Sequence, residues 1–326
     1  MFLCLGGIFA GIMISLKPYL KSEGVQPVSR LGFGGWPLGN TANGRTMPED
    51  EGVELVRAAV EAGINFFDTA PNYALGRSER ILGKALGPVR DKVVINTKFG
   101  HHANDRHDFS VEAVESSVDG SLGRLRTDYV DSVLLHNPGI DILAGRSGHY
   151  TALQALKDRG KIRGFGVSID KEDELLTVLN QPHPIDVIEL LYNVFSQETR
   201  AHLNTIEARE IALIIKVPLD SGWLTGSFDE NTVFSGIRKR WTEADITRRA
   251  QLTRNLKALL GTDDLTPAAL GFLWSYKAVT TVIPGIRTMD QLADHLRAVK
   301  TPFEPSLRSR LEAFFDEHID GDPLPW

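Results

Sequence analysis

Short apolar runs rich in Val, Ile and Phe recur along the chain and alternate with longer stretches in which apolar residues return at helical spacing. The candidate strands cover residues 30–35, 64–68, 92–98, 129–136, 162–168, 187–191, 212–217 and 279–284. Helical spacing predicts helices over 51–62, 78–85, 111–122, 150–159, 171–179, 199–209 and 267–274. Except for the last, strand starts follow one another by roughly 25 to 35 residues, the size of a βα unit. Eight such units predict a single-domain (β/α)₈ TIM barrel.

The spacing breaks once, over residues 219–266, a stretch too long for a plain connection after the seventh strand and containing a helix-like run over 243–260. Long loops at the carboxyl face of a barrel are where binding machinery sits. A tail after Thr301, helical over 307–315, completes the chain. No linker rich in Pro, Gly or Ser divides it, so the barrel is expected to span residues 27–326 behind an N-terminal extension, residues 1–26. The competing parallel architecture, a doubly wound dinucleotide fold, needs G-x-G-x-x-G after the first strand. Gly32-Phe33-Gly34-Gly35-Trp36-Pro37 puts Pro37 at the third glycine, without the N–H a helix N-terminus offers a phosphate.

The formal net charge of -6, with 24% charged residues, argues against a nucleic-acid partner, which calls for a basic stripe. The single cysteine, Cys4, excludes an internal disulfide and a cysteine-rich zinc site and fits a reducing, cytoplasmic setting. Residues 1–16 are uncharged and mostly apolar, but no basic residue precedes them and they fall short of the roughly 20 residues a spanning helix needs. A targeting segment, a loose extension and a start at Met13 all remain open, and a membrane partner is not expected.

The strand ends carry the chemistry. Asp68 follows the second strand, Tyr73 lies five residues on, Lys98 closes the third and His136 the fourth. All four should face the carboxyl mouth, where barrels keep catalytic groups. Singly, each has a structural role available: a turn-forming Asp, a packing Tyr, a paired Lys, a hydrogen-bonded core His. Together they make a proton-donating site. A phenol is a poor acid at neutral pH, so Lys98 is expected to lower the pKa of Tyr73, with Asp68 pairing the ammonium. His136 can orient a carbonyl oxygen beside the phenol. None of the four gives a hydride, so a cofactor must.

The run from Asp68 through Thr69-Ala70-Pro71-Asn72-Tyr73 to Gly76-Arg77-Ser78-Glu79-Arg80-Ile81-Leu82-Gly83 closely resembles the hallmark of the aldo-keto reductases. Thr97-Lys98-Phe99-Gly100, Asp128-Tyr129-Val130-Asp131 leading to Leu134-Leu135-His136, Gly164-Phe165-Gly166-Val167-Ser168 and Ile283-Pro284-Gly285 match in the same order. The resemblance implies that Asp68, Tyr73, Lys98 and His136 form a catalytic tetrad that reduces aldehydes or ketones reversibly. NADP(H) is the implied cofactor and NAD(H) the alternative. It further implies that Ser168 and Glu189 meet the nicotinamide carboxamide, and that Leu219, Asp220, Gly222 and Leu224 cradle the pyrophosphate. Gly285, Arg287, Gln291 and Asp294 would hold the adenosine end, with Arg287 as 2′-phosphate partner.

The sequence departs from the pattern at Ile169-Asp170, where Asn is common, and at Glu189, where Gln is usual. Lys216 and Val217 stand where some branches place a stacking tyrosine, and His295 where Asn often meets adenine. Trp36, Trp223 and Phe99 are candidates for an apolar wall of the substrate pocket or for plain core, with Trp36 and Phe99 the ones expected at the substrate. His101, His102 and His107 cluster with Asp105 and Asp108, but a solvated loop at the substrate rim accounts for them as well as a metal would, and no metal is expected. Small carbonyl or alcohol substrates are the expected partners. The alternatives are an NAD-dependent dehydrogenase of a sugar-like alcohol and a cofactor-sensing subunit with little turnover. The oligomeric state is not written in the sequence.

Overall fold

A computed structural model describes residues 14–21, 24–42, 45–104 and 106–325. Eight parallel strands run in chain order round a nearly closed barrel: β1 (Phe33–Gly34), β2 (Phe66–Asp68), β3 (Val94–Phe99), β4 (Val130–His136), β5 (Ile162–Ile169), β6 (Val187–Leu191), β7 (Ala212–Lys216) and β8 (Val279–Val282). Parallel bridges Leu31 to Val282 and Gly34 to Gly285 join the first strand to the last. The amide of Gly32 donates to Val282 O at 2.8 Å and that of Val282 to Arg30 O at 3.0 Å, satisfying edge groups an open sheet would leave bare. All eight strands expected from the pattern are present, within a few residues at the ends.

Helices α1 (Glu49–Glu61), α2 (Arg77–Leu86), α3 (Ala113–Leu125), α4 (His149–Asp158), α5 (Glu172–Asn180) and α6 (Leu203–Ala208) follow successive strands on the outside. After β7 come α7 (Glu243–Leu260) and α8 (Thr266–Trp274), then α9 (Met289–Lys300) and α10 (Pro305–His318) after β8. Helix α9 was not expected. The segment foreseen as one helix over 199–209 opens as a 3₁₀ turn, Glu198–His202, before α6.

Alternation along the strands builds two cores. Phe67, Ile95, Leu135, Ile188 and Ile215 face outward into the layer beneath the helices, joined there by Val56, Ile81, Leu153 and Leu175. Phe66, Val94, Leu134, Val187, Ala212 and Ile214 face inward at the amino end. The same inward rows end at the carboxyl mouth in Asp68, Lys98, His136, Glu189 and Lys216. Apolar residues therefore fill the base of the barrel and polar ones its mouth. The inward row of β5 passes through Gly166, where a Cβ would lie 1.7 Å from Val187 O, so only glycine fits.

A two-stranded hairpin, Leu16–Lys17 against Val28–Ser29, closes the base. Tyr19 enters the inner core, its ring 5.2 Å from that of Phe66. Part of the segment assigned by sequence to the extension thus plugs the barrel. The apolar run over residues 1–13 lies outside the described residues, as does Asp105. Among the described residues no helix is long and apolar enough to cross a membrane.

Candidate active site

The mouth brings together all four residues expected there. Asp68 ends β2 and Lys98 is the penultimate residue of β3, both pointing inward and nearly inaccessible, at 3% and 1% exposure. Tyr73 sits on the loop after β2, whose next residues Ala74, Leu75 and Gly76 are all left-handed and turn the chain into α2. The loop is pinned to β1, because Ser78 Oγ donates to Gly35 O at 2.9 Å and so receives the Thr69 hydroxyl, 2.8 Å away.

Lys98 Nζ donates to Asp68 Oδ1 at 2.6 Å, to Thr69 O at 3.1 Å and toward Tyr73 Oη at 3.4 Å. Burial pulls the ammonium's pKa down, but Asp68 and Glu189 outweigh it and hold the group charged. For Tyr73 the balance tips the other way. Burial raises its pKa; Lys98 pulls it down, as expected from the sequence, while Asp68 and Glu189 push it up again. The net direction is upward, so the phenol stays protonated at neutral pH.

His136, at the end of β4, stands edge-on to Tyr73 with ring centroids 6.0 Å apart. Burial, reinforced by the positive charge of Lys98, keeps its imidazole well below the usual pKa and neutral. The sequence placed His101 on the rim; the structure places it over the site. Its ring stacks 4.4 Å from His136 on one side and 4.2 Å from His107 on the other, and His101 and His107 bridge as an antiparallel pair. Among the described residues no three His, Cys, Asp or Glu side chains are grouped to hold a metal.

A polar column descends from this mouth. Asn96 lies two residues before Lys98 on the same inward row, and its Nδ2 donates to Asp68 Oδ1 at 2.7 Å and to Glu189 Oε2 at 3.4 Å. Ser132 Oγ donates to Asn96 Oδ1, which fixes the orientation of the amide. With the Ser132 proton spent there, Tyr19 Oη, 2.5 Å from Ser132 Oγ, is the donor of that contact. Asn96, Ser132 and Tyr19 were missed in the sequence. The period-two row through Lys98 was the available signal for Asn96.

Of the three aromatic residues offered as pocket wall or core, Phe99 and Trp223 are core. Trp36 is 44% exposed on the turn after β1, open to the mouth side. Phe99 is 0% exposed and cannot line a pocket. Because Lys98 points in, Phe99 points out, where it packs against Phe109 and His149, each with ring centroids 6.0 Å away.

The sequence profile of the aldo/keto reductase family matches residues 30–315. The chain belongs to the aldo/keto reductase family. Aldo-keto reductase YhdN of Bacillus subtilis is 36% identical over 218 residues, a match spanning 64% of this chain and 63% of that protein. L-galactose dehydrogenase of Arabidopsis thaliana is 31% identical over 283 residues, 83% of this chain and 84% of that one. The holo form of aldo-keto reductase AKR11C1 from Bacillus halodurans superposes with a TM-score of 0.77 at 26% identity, covering 92% of this chain and 96% of the other.

In this aldo/keto reductase the residues expected to hold a nicotinamide dinucleotide lie along the same face. Ser168 Oγ donates to Glu189 Oε1 at 2.9 Å and accepts from Lys216 Nζ at 2.8 Å. Lys216 also pairs with Asp170 at 2.8 Å. Asp220, Ser221 and Gly222 are successively left-handed, making the tight turn of the loop after β7. Asp220 itself is turned inward onto buried Arg249, 3.1 Å away, so its side chain braces the loop, with Leu224 buried beside it. On α9, His295 Nδ1 is buried without a partner, and burial lowers its pKa to about 4, leaving a neutral ring. That orphaned polar atom fits an adenine edge.

Gly285 packs against Pro37. Gln291 Oε1 accepts from the Arg287 amide at 2.8 Å, and Asp294 pairs with Arg297 at 2.7 Å. The Arg287 guanidinium is engaged by backbone: Nη1 donates to Asn40 O at 2.9 Å and Pro37 O at 3.3 Å, and Nη2 to Arg45 O at 2.9 Å. It ties the segment after β1 to the loop after β8.

Proposed function

We propose that this chain catalyses the reversible reduction of an aldehyde or ketone to an alcohol with a nicotinamide dinucleotide, Tyr73 exchanging the proton. The observation that carries the reading is the half-buried Tyr73 hydroxyl held 3.4 Å from Lys98 Nζ and beside a neutral His136. A carbonyl oxygen held between Tyr73 and His136 meets a hydroxyl that is protonated at neutral pH. Lys98 faces the phenol oxygen as the proton leaves, and Asp68 keeps the ammonium in place. In the alcohol direction Tyr73 takes the proton back.

The dinucleotide, when bound, supplies or accepts the hydride. Ser168 and the loop Leu219–Leu224 would hold its nicotinamide and pyrophosphate, and Gly285, Gln291, Asp294 and His295 its adenosine end. NADP(H) is the preferred form, with Arg287 exchanging carbonyl partners for the 2′-phosphate. A second reading, an NAD-dependent dehydrogenase of a sugar-like alcohol, draws on the carbonyl bonds that already occupy Arg287 and on the likeness to L-galactose dehydrogenase.

The experiment is a panel of carbonyls and alcohols run with both cofactors. Tyr73→Phe should lower turnover of the best substrate by about 10²-fold or more. Full turnover in that variant overturns the reading. Absence of turnover across the panel in the parent points to a cofactor-sensing subunit.

A further inference from the structure

Lys98 is shared by two carboxylates. Besides the 2.6 Å contact with Asp68, its ammonium lies 3.3 Å from Glu189 Oε2. Asn96 Nδ2 serves the same two oxygens, and its direction is dictated from below by the Tyr19 to Ser132 to Asn96 chain of donors. Both Glu189 oxygens are thus engaged within the barrel, Oε1 by Ser168 and Oε2 by Lys98 and Asn96, and Glu189 is 1% exposed.

The charges around the pair do not cancel. Lys98 from β3 is the cation in contact with both. Lys216 from β7 reaches Ser168, and its charge is matched by Asp170. His136 from β4 is neutral, as are Tyr73 above and Tyr19 below, the last held protonated chiefly by burial. Two buried carboxylates against one ammonium leave an excess negative charge, which a low-dielectric site relieves by taking up one proton.

We propose that Glu189 is a positioning residue of the tetrad, whose negative charge across the Lys98 ammonium helps hold a proton on Asp68 and thereby sets the pH dependence of proton donation by Tyr73. Asp68 is raised to about 7, first by burial and next by Glu189, against the pull of Lys98 and Asn96. When Asp68 holds its proton, Lys98 acts on Tyr73 with less opposition and the phenol is a better donor. When the proton leaves, the excess negative charge returns and donation weakens. Carbonyl reduction should therefore fall as pH rises through about 7, by up to about tenfold for each unit by which Tyr73 moves.

The test is an infrared titration of the full chain without cofactor, followed by pH profiles of reduction. In the parent, a buried carboxylic-acid carbonyl band should be present near pH 6 and gone by about pH 8.5. Glu189→Gln should move the loss of the band to lower pH, because Asp68 loses its like-charged neighbour while burial still raises it. Glu189→Asp should restore the parent midpoint. In Glu189→Gln the profile of reduction should flatten between about pH 6 and 9.

No band in the parent, or an unchanged midpoint in Glu189→Gln, overturns the proposal. So does an unchanged profile accompanied by loss of dinucleotide affinity, which would assign Glu189 to the carboxamide. The kinetic arm rests on the function proposed above, but the infrared arm does not. A Glu189-dependent band in a protein without turnover upholds the proton on Asp68 and sinks the assigned activity.

Discussion

Tyr73 Oη lies 3.4 Å from Lys98 Nζ, yet the phenol is less acidic than a free tyrosine, because burial and two carboxylates oppose that single charge. The sign decides the pH behaviour. Reduction needs the protonated phenol and oxidation the phenolate, so alcohol oxidation should keep rising up to about pH 10 without levelling off. Initial rates of oxidation at saturating cofactor check this. A plateau near neutral pH would show that Tyr73 is not the base.

Arg249 and Asp220 form a buried pair, and Arg249 Nη2 also donates to Pro325 O at 2.8 Å, so one side chain braces both the loop after β7 and the C-terminal segment. Arg249→Leu should destabilise the protein by about 3–5 kcal/mol, because Asp220 is left buried and unpaired. Adding Asp220→Leu should recover part of that loss. Urea denaturation of the single and double variants measures both.

Gly166→Ala should be disruptive well beyond its size. The added methyl would meet the Val187 carbonyl at 1.7 Å, and a backbone oxygen cannot swing away as a side chain can. A loss on the order of 3 kcal/mol is expected. Gly160→Ala, where no atom lies within 4 Å of the Cβ but φ is +75°, should cost only about 1 kcal/mol. Melting temperatures of the two variants provide the comparison.

Arg287 tests the cofactor assignment. As the 2′-phosphate partner, its replacement by Met should weaken NADPH binding by about tenfold or more and leave NADH nearly unchanged. Equal weakening of both would show that its bonds to Asn40 O and Arg45 O are its purpose and would favour the NAD reading. Fluorescence titration with the two reduced cofactors separates the outcomes.

Much of this protein was legible along the chain. The alternation that makes Phe67 and Ile95 face the helices also makes Asp68 and Lys98 face the mouth, so a strand pattern located the site together with the fold. The 3.6-residue period likewise marked α7 at its observed bounds, Glu243–Leu260. Helix α9 was hidden among residues assigned to cofactor contacts. Phe99 turns away from the mouth because adjacent strand residues face opposite sides, and it packs instead on Phe109 and His149.

Local sequence determined the strands, most of the helices and the shared place of Asp68, Tyr73, Lys98 and His136 at the mouth, because periodicity and strand-end position are properties of neighbouring residues. Only the tertiary structure decided the charge balance within it. Glu189 comes from β6, Asn96 from β3, Ser132 from β4 and Tyr19 from the basal hairpin, and nothing in their spacing announces that they converge on Lys98. Whether Tyr73 is made more or less acidic depends on burial and on charges from distant segments, and those exist only once the barrel has closed.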